Sequence, residues 1–434
     1  MSAPGRLRLR AGLALDVDAV QGARDVVVAD GRIAAIEPAG TAPRADERLL
    51  GGGGFLLMPG LVNAHTHLSM SLLRGVGADL PLARWLAERI FPAEARMTRE
   101  DVYWGAALGA AEALLSGTTA VVDMYFHEDA VADACLALGI RASLAMGLAG
   151  SGDEFERQLE ARALAVAAWR AEGHERVELR LGPHAPYTCP PPSLRLVAEA
   201  AARVGCGIHI HLSETASEVE EALQAYGRTP VALAAEAGLL ARPTQAAHVV
   251  WPRPGDAELL AAAGAVVAHC PASNLQLASG MAPSVELAGM GVTIALGTDG
   301  AASTPSLDMF EAMRLAWLLG KGRRLDASRP SARDVFAWAT VGGAAALGRS
   351  DIGRIALGQR ADLVLVDIER PGLWPLPDDP YGAVVASLRG SDVHTVVVDG
   401  EVVVDAGRLV AMDAAELRHE GLGRAARLRG DGGV

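Results

Sequence analysis

Eight short apolar runs, each followed by an Ala- and Leu-rich stretch of helical length, constrain this chain more than any other feature. They end near His65, Met124, Met146, Gly182, Leu212, Val249, His269 and Gly297. A continuous apolar run suits a strand buried on both faces, and such strands lie parallel when helices cross back between them. Eight βα units in succession predict an α/β fold, a closed (β/α)8 TIM barrel. Half the residues are hydrophobic and only 4% aromatic, which fits many thin strands packed against Ala-rich helices.

The flanks read differently. Asp25 to Ala29 and Arg32 to Ile36 bracket an Asp30-Gly31 turn, and residues 361–366 and 395–404 carry a second such turn at Asp399-Gly400. Asp-Gly between apolar runs is a hairpin signal. We therefore expect residues 1–57 and 355–434 to form one small β-sandwich domain around a barrel domain of residues 58–354. A formal charge of -13 disfavours polymeric nucleic acid and anionic membrane surfaces as partners. The start, Met1-Ser2-Ala3-Pro4-Gly5, leads into alternating Arg and Leu without an apolar core segment, and no run is long enough to span a bilayer. These readings predict a cytoplasmic protein. Cys135, Cys189, Cys206 and Cys270 are too widely spaced for a disulfide framework or a thiolate zinc site.

In such a barrel the chemistry sits at the carboxyl ends of the strands. His65 and His67 close the first run, His211 the fifth and His248 the sixth, and Asp299 follows the eighth. Strand side chains alternate with period two, so His65 and His67 face one side and can share one ion. His209, the other half of a second H-x-H, is assigned to core packing or to supporting the ligands from behind. Glu214, three residues after His211, is placed to carry protons. Relatives of this architecture that hold two metals often bridge them with a carboxylated lysine. The only lysine here, Lys321, lies beyond the last strand, which predicts a single divalent ion. Zn²⁺ suits these ligands best, and Fe²⁺ or Mn²⁺ would also be accepted.

Several segments carry a resemblance: Met58-Pro59-Gly60-Leu61-Val62-Asn63-Ala64-His65-Thr66-His67, Gly182-Pro183-His184-Ala185-Pro186-Tyr187, His211-Leu212-Ser213-Glu214-Thr215, Pro271-Ala272-Ser273-Asn274, Gly297-Thr298-Asp299-Gly300-Ala301-Ala302-Ser303 and Gly358-Gln359-Arg360-Ala361-Asp362-Leu363. In these the chain resembles the amidohydrolase superfamily, and within it the methylthioadenosine/S-adenosylhomocysteine deaminases. The resemblance implies that His65, His67, His211 and Asp299 hold the metal while His248 orients the attacking water. It also implies that Glu94 accepts ribose hydroxyls, that His184 contacts the purine, that Trp85 walls the pocket, and that Ser303 belongs to the substrate site. The expected reaction converts methylthioadenosine, 5′-deoxyadenosine or S-adenosylhomocysteine to its inosine analogue and ammonia, in a protein that forms a homodimer or homotetramer.

One departure matters. Family members that take S-adenosylhomocysteine carry an arginine where Arg141-Ala142-Ser143-Leu144-Ala145-Met146-Gly147 places Met146. An apolar side chain there predicts apolar 5′ substituents, unless an arginine elsewhere, such as Arg157, compensates. The alternatives are a guanine-type or s-triazine hydrolase with the same ligands and, from another class, a barrel that serves only as a non-catalytic scaffold.

Overall fold

In the computed structural model, which describes residues 5–429, the apolar runs form eight parallel strands. They are Leu61–Thr66, Thr118–Tyr125, Arg141–Leu148, Val177–Pro183, Ile208–Leu212, Thr244–His248, Val266–His269 and Thr293–Leu296, paired in chain order. Each ends within two residues of the position expected from sequence. The eighth strand meets the first where the amides of Thr298 and Asp299 donate to the His65 carbonyl at 3.1 and 2.9 Å. Glycine is required at this seam: a Cβ on Gly297 would lie 2.8 Å from the His65 backbone nitrogen. Barrel closure and the placing of two site residues are thus one set of hydrogen bonds.

Inside, Val62, Ala64, Ala120, Val122, Val266, Ala268 and Ala295 pack in one cluster with Ala344, Ala346 and Leu347 from the helical segment after the last strand. Small side chains leave room for that segment to fill the barrel.

The flanking segments form a second, mixed sheet of eight strands. Its long strand Glu47–Pro59 pairs in parallel with Arg6–Leu15 and antiparallel with Leu363–Asp367, joining the two ends of the chain. The two Asp-Gly turns have left-handed backbones, with φ of 51° at both Asp30 and Asp399. The Ala361 amide donates to the Gly31 carbonyl, and Leu9, Val26, Leu363 and Val397 share a core. The expected sandwich is thus one continuous sheet, curled so that its halves pack. The last helix, Ala414–Arg429, does not join this sheet. It packs against the barrel helix Arg99–Leu115, and Arg424 and Arg427 bond Asp101. Among the described residues no helix is long and apolar enough to cross a membrane, and the four cysteines are buried and unpaired. The leader reading at Met1–Pro4 lies outside the described residues.

Barrel and sheet are tied by Arg141 at the start of the third strand. Its guanidinium is 1% exposed and reaches Asp362 at 2.9 Å and Asp399 at 2.5 Å. Burial works against the Asp399 charge, yet Arg141 beside it keeps that carboxyl below its ordinary range. Removing one partner of a buried pair leaves the other charge uncompensated, at a cost of roughly 3–5 kcal/mol. We predict that Arg141→Ala loses about that much in urea unfolding, whereas Arg157→Ala, whose exposed ion pair with Glu154 contributes about 0–1 kcal/mol, stays near the parent. Equal stability of the two variants would contradict the account.

Candidate active site

The five strand-end groups converge. Ligand atoms of His65, His67 and His211 lie within 4.8 Å of one another, as do those of His65, His248 and Asp299. Their far ring nitrogens explain the orientation. His67 Nδ1 lies 2.6 Å from the Met124 carbonyl oxygen, and His211 Nδ1 lies 2.8 Å from that of His184. A carbonyl can only accept, so Nδ1 carries the proton in both rings and Nε2 keeps its lone pair for the centre. His248 Nδ1 donates to Asn274 Oδ1 at 2.9 Å, and His65 Nδ1 meets His209 Nε2 at 2.9 Å. His65 Nε2 is buried without a hydrogen-bond partner. Buried polar atoms are rarely left so, and a lone pair aimed at three other donors fits a metal ion of the zinc type.

Asp299 is fixed as firmly. Its Oδ1 stands 3.4 Å from His65 Nε2 and 3.2 Å from His67 Nε2, and it accepts the Gly300 amide at 2.8 Å. Oδ2 accepts from Ser273 at 2.5 Å and from Ser303 at 2.9 Å. Burial opposes its charge, but the two imidazoles hold it well below the usual carboxylate range. The same carboxylate lifts His67 to about 9 against the effect of burial, while burial takes His65 down to about 4.

Backbone strain marks the same strand ends. Ser213, His248, Val249 and Asp299 have φ of 52°, 72°, 45° and 68°, a region that costs a non-glycine residue on the order of 1 kcal/mol or more. The ladder holds them there: the Val249 amide donates to Leu212 O at 3.0 Å, and the amides of Val250 and Trp251 both donate to Ser213 O. Glu214 is turned inward by Glu218, which accepts the Ser213 and Glu214 amides at 3.1 and 2.7 Å. Glu214 Oε1 accepts from Ser279, and Oε2 lies 3.8 Å from His248 Nε2. Burial pushes this carboxyl above its ordinary value.

A cavity of about 340 Å³ opens onto these groups, a size that suits a small organic ligand. Of the residues expected from sequence, Trp85, Glu94, His184, Glu214 and Ser303 line it together with His67, His211, His248 and Asp299. Trp85 is nearly buried, its ring nitrogen donating to Val76 O at 2.9 Å. Desolvation in the cavity pushes Glu94 up to about 7, and burial lowers His184 to about 4. Met146 is half-buried on the third strand and is not part of the wall; its neighbour Gly147 is. Arg157 is exposed and paired with Glu154, whereas Gln158 and Arg162 of the same helix do reach the cavity. Sequence reasoning gave no role to Ser273, Asn274, Ser279, Glu218 or Arg162. The quoted Pro271-Ala272-Ser273-Asn274 segment was the available signal for the first two.

His209 is wholly buried, and its one ring contact with the ligand set is His65. Partners placed behind a ligand set its ring orientation, and their loss typically costs about tenfold to a hundredfold in metal affinity. We predict that His209→Leu weakens zinc binding by that amount in competition with a fluorescent chelator; unchanged affinity would assign His209 to packing alone.

The sequence profile of the Amidohydrolase family matches residues 56–403. A 5-methylthioadenosine/S-adenosylhomocysteine deaminase of Moorella thermoacetica is 46% identical over 395 residues, 90% of this chain and 92% of that protein. A 5′-deoxyadenosine deaminase of Methanothermobacter thermautotrophicus is 42% identical over 407 residues, 93% of this chain and 95% of that one. Among solved structures, an adenosine deaminase from Xanthomonas campestris with bound zinc superposes with a TM-score of 0.93 at 35% identity, covering 98% of this chain and 99% of that chain. The profile match spans both the strand-end ligands and most of the barrel, and the chain belongs to the amidohydrolase family.

Proposed function

We propose that the chain hydrolytically deaminates an adenosine-type nucleoside at C6 of the purine, giving the inosine analogue and ammonia. The observation that carries this reading is the shared cavity: a buried carboxyl, Glu214, beside the metal-competent cluster, with a second carboxyl, Glu94, on the wall of the same space. The relatives described above are named for adenosines differing in their 5′ arm. A divalent ion, assigned here as zinc and held by His65, His67, His211 and Asp299, supplies the Lewis acid that makes water acidic near neutral pH.

The remaining work belongs to the protein. His248 orients the attacking water through Nε2. Glu214 enters protonated and gives that proton to N1 as water adds to C6, taking up the proton that water releases. It then protonates the departing amine and recovers the proton of the C6 hydroxyl, so C6 becomes a carbonyl and ammonia leaves. His184 lies against the purine, Trp85 closes the wall, and Glu94 accepts the ribose hydroxyls. Ser303 acts on Asp299 and so contributes by holding a ligand. Four unpaired cysteines suit a reducing compartment, and we assign the enzyme to the cytoplasm.

Two outcomes test these roles. Glu214→Gln should lower kcat on methylthioadenosine by about 10²- to 10⁴-fold with zinc still bound stoichiometrically; near-parental turnover would remove the proton-carrying role. Glu94, pushed up to about 7, accepts hydroxyls best as the carboxylate, so KM should fall as pH rises from about 6 to about 8. Glu94→Gln should flatten that profile, and an unaltered profile in the variant would place the titrating group elsewhere.

A further inference from the structure

Arg162 brings a charge to the substrate cavity that neither the ligand cluster nor the proton carrier uses. It is the only arginine or lysine on a wall otherwise built largely of apolar groups such as Phe126 and Leu148. Its recorded contact is Nη1 to Gln158 Oε1 at 3.2 Å, one helical turn away on Gly152–Glu172. Among the described residues no carboxylate pairs with it. The nearby acid is occupied: Glu128 Oε1 accepts the Gly147 amide at 2.7 Å. A guanidinium keeps its charge in proteins, and a half-buried charge among apolar groups is costly unless an anion meets it.

We propose that Arg162, oriented by Gln158, binds a carboxylate at the end of the substrate's 5′ arm. The inference rests on the nucleoside reading above and names the substrates it favours: adenosines bearing an amino-acid arm, S-adenosylhomocysteine among them. Two facing N–H groups of a guanidinium match the two oxygens of a carboxylate. The arm itself passes along apolar surface, which suits a thioether chain. A carboxylate fits better than a phosphate because the cavity already carries Glu94, Glu214 and Asp299, and a second negative charge on the ligand would meet their repulsion. This reverses the expectation drawn from Met146. The charge that is absent from the third strand is supplied by the helix that follows it.

The test is a cycle of kcat/KM values on the zinc-loaded protein, crossing Arg162→Met and Gln158→Leu with three substrates: methylthioadenosine, S-adenosylhomocysteine and its carboxyl methyl ester. In the parent, esterification should raise KM by about tenfold to a hundredfold, the range for a hydrogen bond to a charged group. Arg162→Met should raise KM for S-adenosylhomocysteine by a similar factor, abolish the difference between acid and ester, and leave methylthioadenosine within about twofold. Gln158→Leu should give a smaller loss confined to the acid. Equal KM for acid and ester in a parent that deaminates methylthioadenosine would overturn this inference alone. So would a loss in Arg162→Met that falls on all three substrates alike, or tighter use of adenosine 5′-monophosphate than of S-adenosylhomocysteine. Absence of turnover on every adenosine would overturn both this inference and the deaminase reading.

Discussion

A carbonyl oxygen accepts hydrogen bonds and never donates them, and the backbone places such oxygens behind two of the site's histidines. Met124 O and His184 O lie at strand ends of the barrel, so their positions are set by its ladder and not by flexible side chains. They fix the tautomer and the ring plane of His67 and His211 together. The His65 carbonyl works the other way, accepting the amides of Thr298 and Asp299 so that the eighth strand delivers its carboxylate beside the first strand's imidazoles. The chemistry thus inherits its geometry from the hydrogen bonds that close the barrel.

The arrangement has an energetic cost, seen in the positive φ at Ser213, His248, Val249 and Asp299. Val249 is the most telling, since a β-branched residue resists that region most. Stability elsewhere offsets it: a wholly buried core through the barrel, the Arg141 cluster linking barrel to sheet, and a terminal helix anchored on Asp101. Strain concentrated where groups must point inward, on a scaffold that over-determines it, is what a preorganised polar site requires.

The barrel was legible because strand burial leaves a pattern that no other element shares, and the metal-competent residues were legible because they stand at the ends of those runs. His65 and His67 needed only the two-residue period of a strand. Glu94 and Trp85 were different. They sit on short helical turns between Leu82 and Glu94 with no periodicity to assign a face, so resemblance alone singled them out. Arg162 left no signal, because a charged residue in the middle of a long amphipathic helix reads as solvated until tertiary contacts show which side is covered. The curl of the flanking sheet and the return of Ala414–Arg429 to the barrel depend on contacts between residues hundreds of positions apart, and local sequence does not record them.

The central claim is that water replaces the C6 amine of an intact nucleoside. It is tested most directly by running the zinc-loaded protein on methylthioadenosine in water enriched in oxygen-18 and weighing the product. The account predicts one labelled oxygen on the purine, one ammonia per turnover and an intact glycosidic bond. Label in the sugar, release of free adenine, or recovery of unchanged nucleoside would contradict it.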